Sequence, residues 1–107
     1  MSLDAIFFAL ADPTRRRVVE TLLADGETSV PRLTGQLPMT RQAVAKHLAA
    51  LDDAGLVQRT GGRAAGGREV RWALRPGALE EAAGWMERAG RDWDRRLARL
   101  KDAVERP

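Results

Sequence analysis

The chain has 107 residues and a mass of 11.8 kDa, which is enough for one domain built around one core and excludes a second, catalytic domain. It contains no cysteine and a single histidine, so disulfides and thiolate chemistry are excluded and few nitrogen or sulfur ligands remain for a metal ion. The net charge of +3 is localised, because residues 56–77 carry five arginines and one acidic residue, and such a basic segment suggests an anionic polymer as partner.

The first part of the chain predicts three short helices. Residues 3–11 are apolar on nearly all sides, so a helix here needs cover on more than one face. Asp12-Pro13 is suited to end it and to start a second helix through residue 24. Ser29 can cap a short third helix, and Pro38 disfavours helical geometry at the residue before it. A tight turn therefore follows the third helix.

A fourth helix is predicted at residues 41–54, with Thr40 as its cap. Gly55 is placed as its left-handed C-terminal residue, and Leu56 is expected to fold back behind it. At about 100° per residue, one face of this helix is apolar and contains Val44, Leu48 and Leu51. The opposite face contains Gln42, Ala45, Lys46, Ala49 and Asp53. Small residues beside polar ones allow this face to approach a grooved partner closely.

Two strands and a long helix complete the prediction. Residues 56–60 and 68–74 form a two-stranded hairpin, the wing, whose tip at residues 61–67 is rich in glycine. A final helix covers residues 78–105 and carries an apolar stripe along its length. At 1.5 Å per residue it would extend about 42 Å, longer than the body to which it belongs. Part of its stripe is therefore expected to meet another chain.

Three short helices, the last two separated by a tight turn, followed by a basic hairpin make a winged helix-turn-helix. In these features the sequence resembles the ArsR family of bacterial transcriptional regulators. Four segments carry the resemblance: Ala9–Arg17 (ALADPTRRR), Thr40–Leu48 (TRQAVAKHL), Ala54–Val57 (AGLV) and the wing strand Arg68–Leu74. The long tryptophan-bearing final helix looks like the subgroup without metal-sensing cysteines. The resemblance implies a single winged helix domain over residues 1–107 that acts as a homodimeric DNA-binding repressor.

That resemblance also implies a docking mode, with the fourth helix in the major groove and the first and last helices at the dimer interface. A two-fold dimer presents two recognition helices to grooves about one turn, roughly 34 Å, apart, so an inverted-repeat operator is expected.

Candidate DNA contacts come from the fourth helix and the wing. Gln42 can pair bidentately with adenine, Arg41 can address guanine or a phosphate, and Lys46 lies one turn beyond Gln42. The full helix set is Thr40, Arg41, Gln42, Ala43, Lys46 and His47. The wing set is Arg59, Arg63, Arg68 and Arg71, which are expected to contact the backbone or the minor groove.

Candidate dimer contacts come from the two helices whose apolar surface exceeds what one small body can cover. The first helix contributes Leu3, Ile6, Phe7 and Leu10. The last helix contributes Leu79, Met86, Trp93, Leu97 and Leu100. We expect Trp85 and Trp93 to be buried in the interface or the core.

Other functions have less support. No metal site is predicted, because residues 30–36 offer no ligand and the last helix has no histidine, and no cofactor is expected. An enzyme is not expected, because the sequence offers no nucleophile together with a general base to activate it. RNA binding is a less well supported alternative, since the deep, narrow major groove of an A-form RNA helix excludes side chains. The main alternative is a protein-interaction module, which predicts that wing charge is dispensable.

The remaining expectations concern the cellular location of the protein and the regulation in which it takes part. No apolar run approaches the roughly 20 residues that span a bilayer, and residues 1–4 carry no basic side chain, so we expect a cytoplasmic protein without a membrane partner. The operator, the regulated genes and any effector, a small molecule or a protein, are left open by the sequence.

Overall fold

The computed structural model describes residues 2–61 and 70–106 and is mainly helical. In chain order the elements are α1 (Leu3–Leu10), α2 (Pro13–Asp25), β1 (Glu27–Ser29), α3 (Val30–Gln36), α4 (Arg41–Asp53), β2 (Val57–Arg59), β3 (Arg71–Leu74) and α5 (Glu80–Glu105). The five helices match the predicted number and order. No helix within the described ranges combines the length and the apolar character needed to cross a membrane.

Helices α2, α3 and α4 begin where their capping residues predict, whereas α5 begins at Glu80, two residues later than predicted and without a side-chain cap. The Asp12 carboxylate accepts hydrogen bonds from the N–H groups of Thr14 at 2.8 Å and Arg15 at 3.3 Å. The hydroxyls of Ser29 and Thr40 accept in the same way at the starts of α3 and α4, at 3.3 and 3.1 Å. Each side chain satisfies N–H groups that a first helical turn leaves without a partner.

Two helix ends also follow from local sequence. Pro38 ends α3, and Leu37 before it is extended at φ −119° and ψ 145°. Gly55 follows α4 with φ 80°, and the N–H of Leu56 reaches back to the carbonyl of Leu51 at 2.9 Å. The left-handed conformation of Gly55 and this hydrogen bond together fix where the chain leaves α4 and enters the wing.

The sheet has three antiparallel strands in the order β1-β3-β2, so the two predicted wing strands pair as β2 and β3, and a third strand, β1, was not predicted. Ser29 lies opposite Arg71, and Trp72 lies between Thr28 on one side and Arg59 on the other. The missed strand β1 has only three residues, and its partner strand lies more than 40 residues later in the chain. No local periodicity can reveal such a pairing.

The core lies where α1–α4 meet the inner face of the sheet. Its fully buried large side chains are Ile6, Val18, Leu22, Leu33, Val44, Leu48, Leu51, Leu56 and Val57. Only the first turn of α5 takes part, through Ala82, and the chain measures 72 × 27 × 21 Å. The rest of α5 therefore extends away from the body, as its length predicts.

Candidate nucleic-acid interface

Helix α4 has one fully buried face and one fully exposed face. Val44, Leu48 and Leu51 have no solvent-exposed surface and anchor α4 to α2 and α3. The exposed face contains Gln42, Ala45, Lys46, Ala49 and Asp53. Because the anchor side is rigidly packed, the polar side chains are carried on a fixed scaffold rather than on a loop.

The first turn of α4 is open to solvent. Thr40, Arg41 and Gln42 are exposed, and the Thr40 hydroxyl is occupied by the N–H of Ala43. Ala43 and His47 are half-buried at the edges of the exposed face. The amide of Gln42 and the cations of Arg41 and Lys46 are donors and acceptors suited to base edges in a major groove.

Helix α2 packs against α4, and Asp12 caps its first turn. Backbone N–H groups of Arg15 and Thr14 donate to Asp12 and hold the pKa of its carboxyl below its usual value, with further help from the charges of Arg15 and His47. The Arg15 guanidinium pairs with Asp12 at 3.7 Å. Asp12 therefore holds the first turn of α2 in place.

The wing arginines within the described residues lie on opposite faces of the sheet. Arg59 is exposed, and its guanidinium carbon stacks 5.3 Å from the ring centroid of Trp72. Arg71 points the other way, and its aliphatic stem covers Gly61. Arg63 and Arg68, the other two predicted contacts, fall outside the described residues. The stacking on Trp72 was missed because it depends on the strand register.

The predicted dimer residues fall into three groups. Leu3, Phe7, Leu10 and Leu79 are half-buried against the core. Met86, Trp93, Leu97 and Leu100 are exposed by 60, 58, 43 and 61% along one side of α5. The prediction for Ile6 is wrong, because its side chain is fully buried within its own chain and cannot contact a partner.

Trp85 lies at the junction of these surfaces. Its ring meets Phe7 edge-on at 5.6 Å, which joins α1 to α5, yet 47% of the side chain is exposed. The expected burial of Trp85 and Trp93 is therefore not achieved within one chain.

The metal-ligand chemistry of the described residues is sparse. Within residues 2–61 and 70–106, no three His, Asp or Glu side chains cluster as a metal ion requires. Helices α3 and α4 and the wing strands β2 and β3 together define a winged helix-turn-helix of the kind that binds DNA.

Comparison with known proteins identifies the family. Residues 10–60 match the family model of a helix-turn-helix domain. The solved structure of an ArsR-like transcriptional regulator from Rhodococcus sp. RHA1 is 39% identical, with a TM-score of 0.77 over 98% of this chain and 94% of that one. This chain belongs to the ArsR family of winged helix-turn-helix transcriptional regulators, a family of DNA-binding proteins and not a class of enzymes.

Two curated relatives agree with this assignment. The uncharacterized HTH-type transcriptional regulator YuzN of Bacillus subtilis (strain 168) is 48% identical over 60 residues, which are 50% of this chain and 65% of the relative. The HTH-type transcriptional regulator CmtR of Mycobacterium bovis is 43% identical over 76 residues, which are 71% of this chain and 60% of the relative. The chain thus spans less than two thirds of the length of either relative.

Proposed function

We propose that the chain is a sequence-specific transcriptional repressor that binds double-stranded DNA in the cytoplasm as a homodimer at an inverted-repeat operator. The observation that carries this proposal is the division of α4. Its exposed face offers Gln42 and Lys46 beside the small Ala45 and Ala49, directly opposite a fully buried stripe. Polar groups beside alanines can approach base edges without steric hindrance.

Each residue has a distinct role in this proposal. Gln42 pairs with adenine, Arg41 binds guanine or a phosphate, and Lys46 reads the base step one turn further on. Thr40, Ala43 and His47 position the helix against the DNA backbone. The wing arginines Arg59, Arg63, Arg68 and Arg71 contribute affinity that depends on salt and little on sequence.

The proposed dimer uses α5 and the outer side of α1. Met86, Trp93, Leu97 and Leu100 form an exposed apolar stripe on a helix that extends beyond its own body. A two-fold axis along this stripe lets each copy cover the other, together with the half-buried Leu3, Phe7, Leu10 and Leu79. Two copies of α4 then face the same side of a duplex.

The regulatory part of the proposal follows from the family resemblance. Repression rather than activation is typical of the family. The protein responds to a small molecule, to a partner protein or only to its own concentration, and not to a thiophilic metal, since the chain has no cysteine to ligate such an ion.

Selection of bound fragments from a genomic DNA library tests the proposed function. The purified wild-type protein should enrich fragments that share an inverted repeat with half-sites about one helical turn apart. Static light scattering on the same sample should give twice 11.8 kDa. A sample that enriches no sequence and shifts no duplex at low salt would instead support the protein-interaction module.

A further inference from the structure

Two arginines from distant parts of the chain line one cleft beside the proposed DNA-binding face. The cleft has a volume of about 280 Å³ and is lined by Glu27, Thr28, Ser29, Arg32 and Arg71. Arg71 was predicted to be a wing residue, and no role was predicted for Arg32. Only the pairing of β1 with β3 brings the two side chains together.

Local geometry fixes the backbone positions of both arginines. Ser29 lies directly opposite Arg71 in the β1-β3 register, so their side chains leave the sheet on the same face. The Ser29 hydroxyl also accepts a hydrogen bond from the N–H of Arg32 at 3.3 Å, which fixes the first turn of α3 above that face. The stem of Arg71 rests on Gly61 on its other side.

The cleft carries more positive than negative charge, with two guanidinium groups and one carboxylate. That carboxylate, Glu27, accepts a hydrogen bond from the Thr60 hydroxyl across the central strand. Across residues 2–61 and 70–106, neither Arg32 nor Arg71 lies within ion-pair distance of a carboxylate. By contrast, Arg59 on the opposite face stacks on Trp72. The cleft thus offers two guanidinium groups to an external anion.

The position of the cleft indicates which anion it binds. Helix α3 is the first helix of the helix-turn-helix, and in docked motifs of this kind the first helix crosses the phosphate backbone while the second enters the major groove. Arg71 stands on the wing strand that flanks the same groove. A phosphate oxygen pair suits the planar fork of a guanidinium better than it suits an ammonium.

We propose that Arg32 and Arg71 clamp a single backbone phosphate of the operator, one in each half-site. This inference rests on the proposed function and adds to it a contact between α3 and the wing. The clamp fixes the register of α4 in the groove without reading a base.

The test compares Arg32→Gln, Arg71→Gln and the double variant with the control Arg99→Gln. Arg99 is an exposed arginine on the outer part of α5, so its substitution removes the same charge away from the cleft. Affinity for the selected operator and for a scrambled duplex is measured over a series of salt concentrations. Circular dichroism confirms that each variant is folded.

Each cleft variant should bind both duplexes at least about tenfold more weakly, as expected when a charge-assisted hydrogen bond is lost, with the preference for the operator unchanged. Each neutralised phosphate contributes about 0.9 to the slope of log affinity against log salt. The double variant of the dimer should therefore lose about 1.8, with one phosphate per half-site. The Arg99 control should match the wild type.

Two results would overturn the clamp while leaving the proposed function intact, provided that the wild type still prefers the operator. These are cleft variants that bind like the control, or a slope loss near 3.6 for the double variant that indicates two separate phosphates per half-site. A wild type without operator preference would refute the proposed function itself.

Discussion

Trp93 offers a quantitative test of the proposed dimer. Its side chain is 58% exposed on the outer part of α5, and a tryptophan presents about 250 Å² in all, so about 145 Å² is available to a partner. At about 25 cal/mol per Å², full coverage of this area would stabilise the dimer by about 3.6 kcal/mol per protomer. If half of that area is covered, the two symmetry-related copies together contribute about 3.6 kcal/mol, which is about 400-fold in the dimer dissociation constant.

Replacement of Trp93 by aspartate removes this contribution and adds the desolvation of a charge. We expect the dissociation constant to rise by at least about 400-fold, so that the variant runs as an 11.8 kDa monomer at concentrations where the wild type is a dimer. Sedimentation equilibrium over a concentration series measures the shift.

Ala98→Asp is the matched control for this substitution. Ala98 is exposed on the same helix, about 140° around its axis from Trp93, and its replacement adds the same charge. It should leave the dimer intact. A Trp93→Asp protein that remains dimeric, or an Ala98→Asp protein that dissociates to the same extent, would refute the assignment of the stripe.

Three further predictions concern the scaffold that carries the interface. Leu48→Ala should destabilise the fold by about 2 to 5 kcal/mol in urea denaturation, because the side chain is completely buried on the inner face of α4; a loss below that range would mean that α4 is loosely packed. Gly55→Ala should cost about 1 to 2 kcal/mol, because residue 55 adopts φ 80°, and unchanged stability would contradict the left-handed closure of α4. Asp12→Asn should lower Tm at pH 7, because the lowered pKa of Asp12 stabilises the folded state while the carboxyl is ionised. The difference in Tm between the wild type and this variant should disappear as the pH falls below about 4 and through the folded-state pKa of Asp12. A Tm difference that stays constant with pH would contradict this electrostatic role.

The helix boundaries were predictable because their signals are local. The caps at Asp12, Ser29 and Thr40 each involve N–H groups two or three residues further along the chain. The stop before Pro38 and the left-handed turn at Gly55 depend on the backbone preferences of single residues. The family motifs overlap these segments, which is why fold and family could be recognised together.

The features that sequence reasoning missed all depend on contacts between residues that are distant in the chain. Ile6 was assigned to the dimer because α1 is apolar on nearly all sides, and only the packed body reveals which side chain faces inward. The stacking of Arg59 on Trp72 and the approach of Arg32 to Arg71 require the strand register. A three-residue strand carries too little pattern to predict that register.

The central claim is that the exposed face of α4 reads base sequence, and a footprint comparison tests it most directly. Wild type and the double variant Gln42→Ala, Lys46→Ala are compared on the selected operator and on a scrambled duplex of equal length and salt. We expect the double variant to keep the wild-type circular dichroism spectrum and its weak binding to scrambled DNA while its operator footprint disappears. A folded double variant that protects the same operator bases as the wild type would remove α4 from recognition and contradict the account.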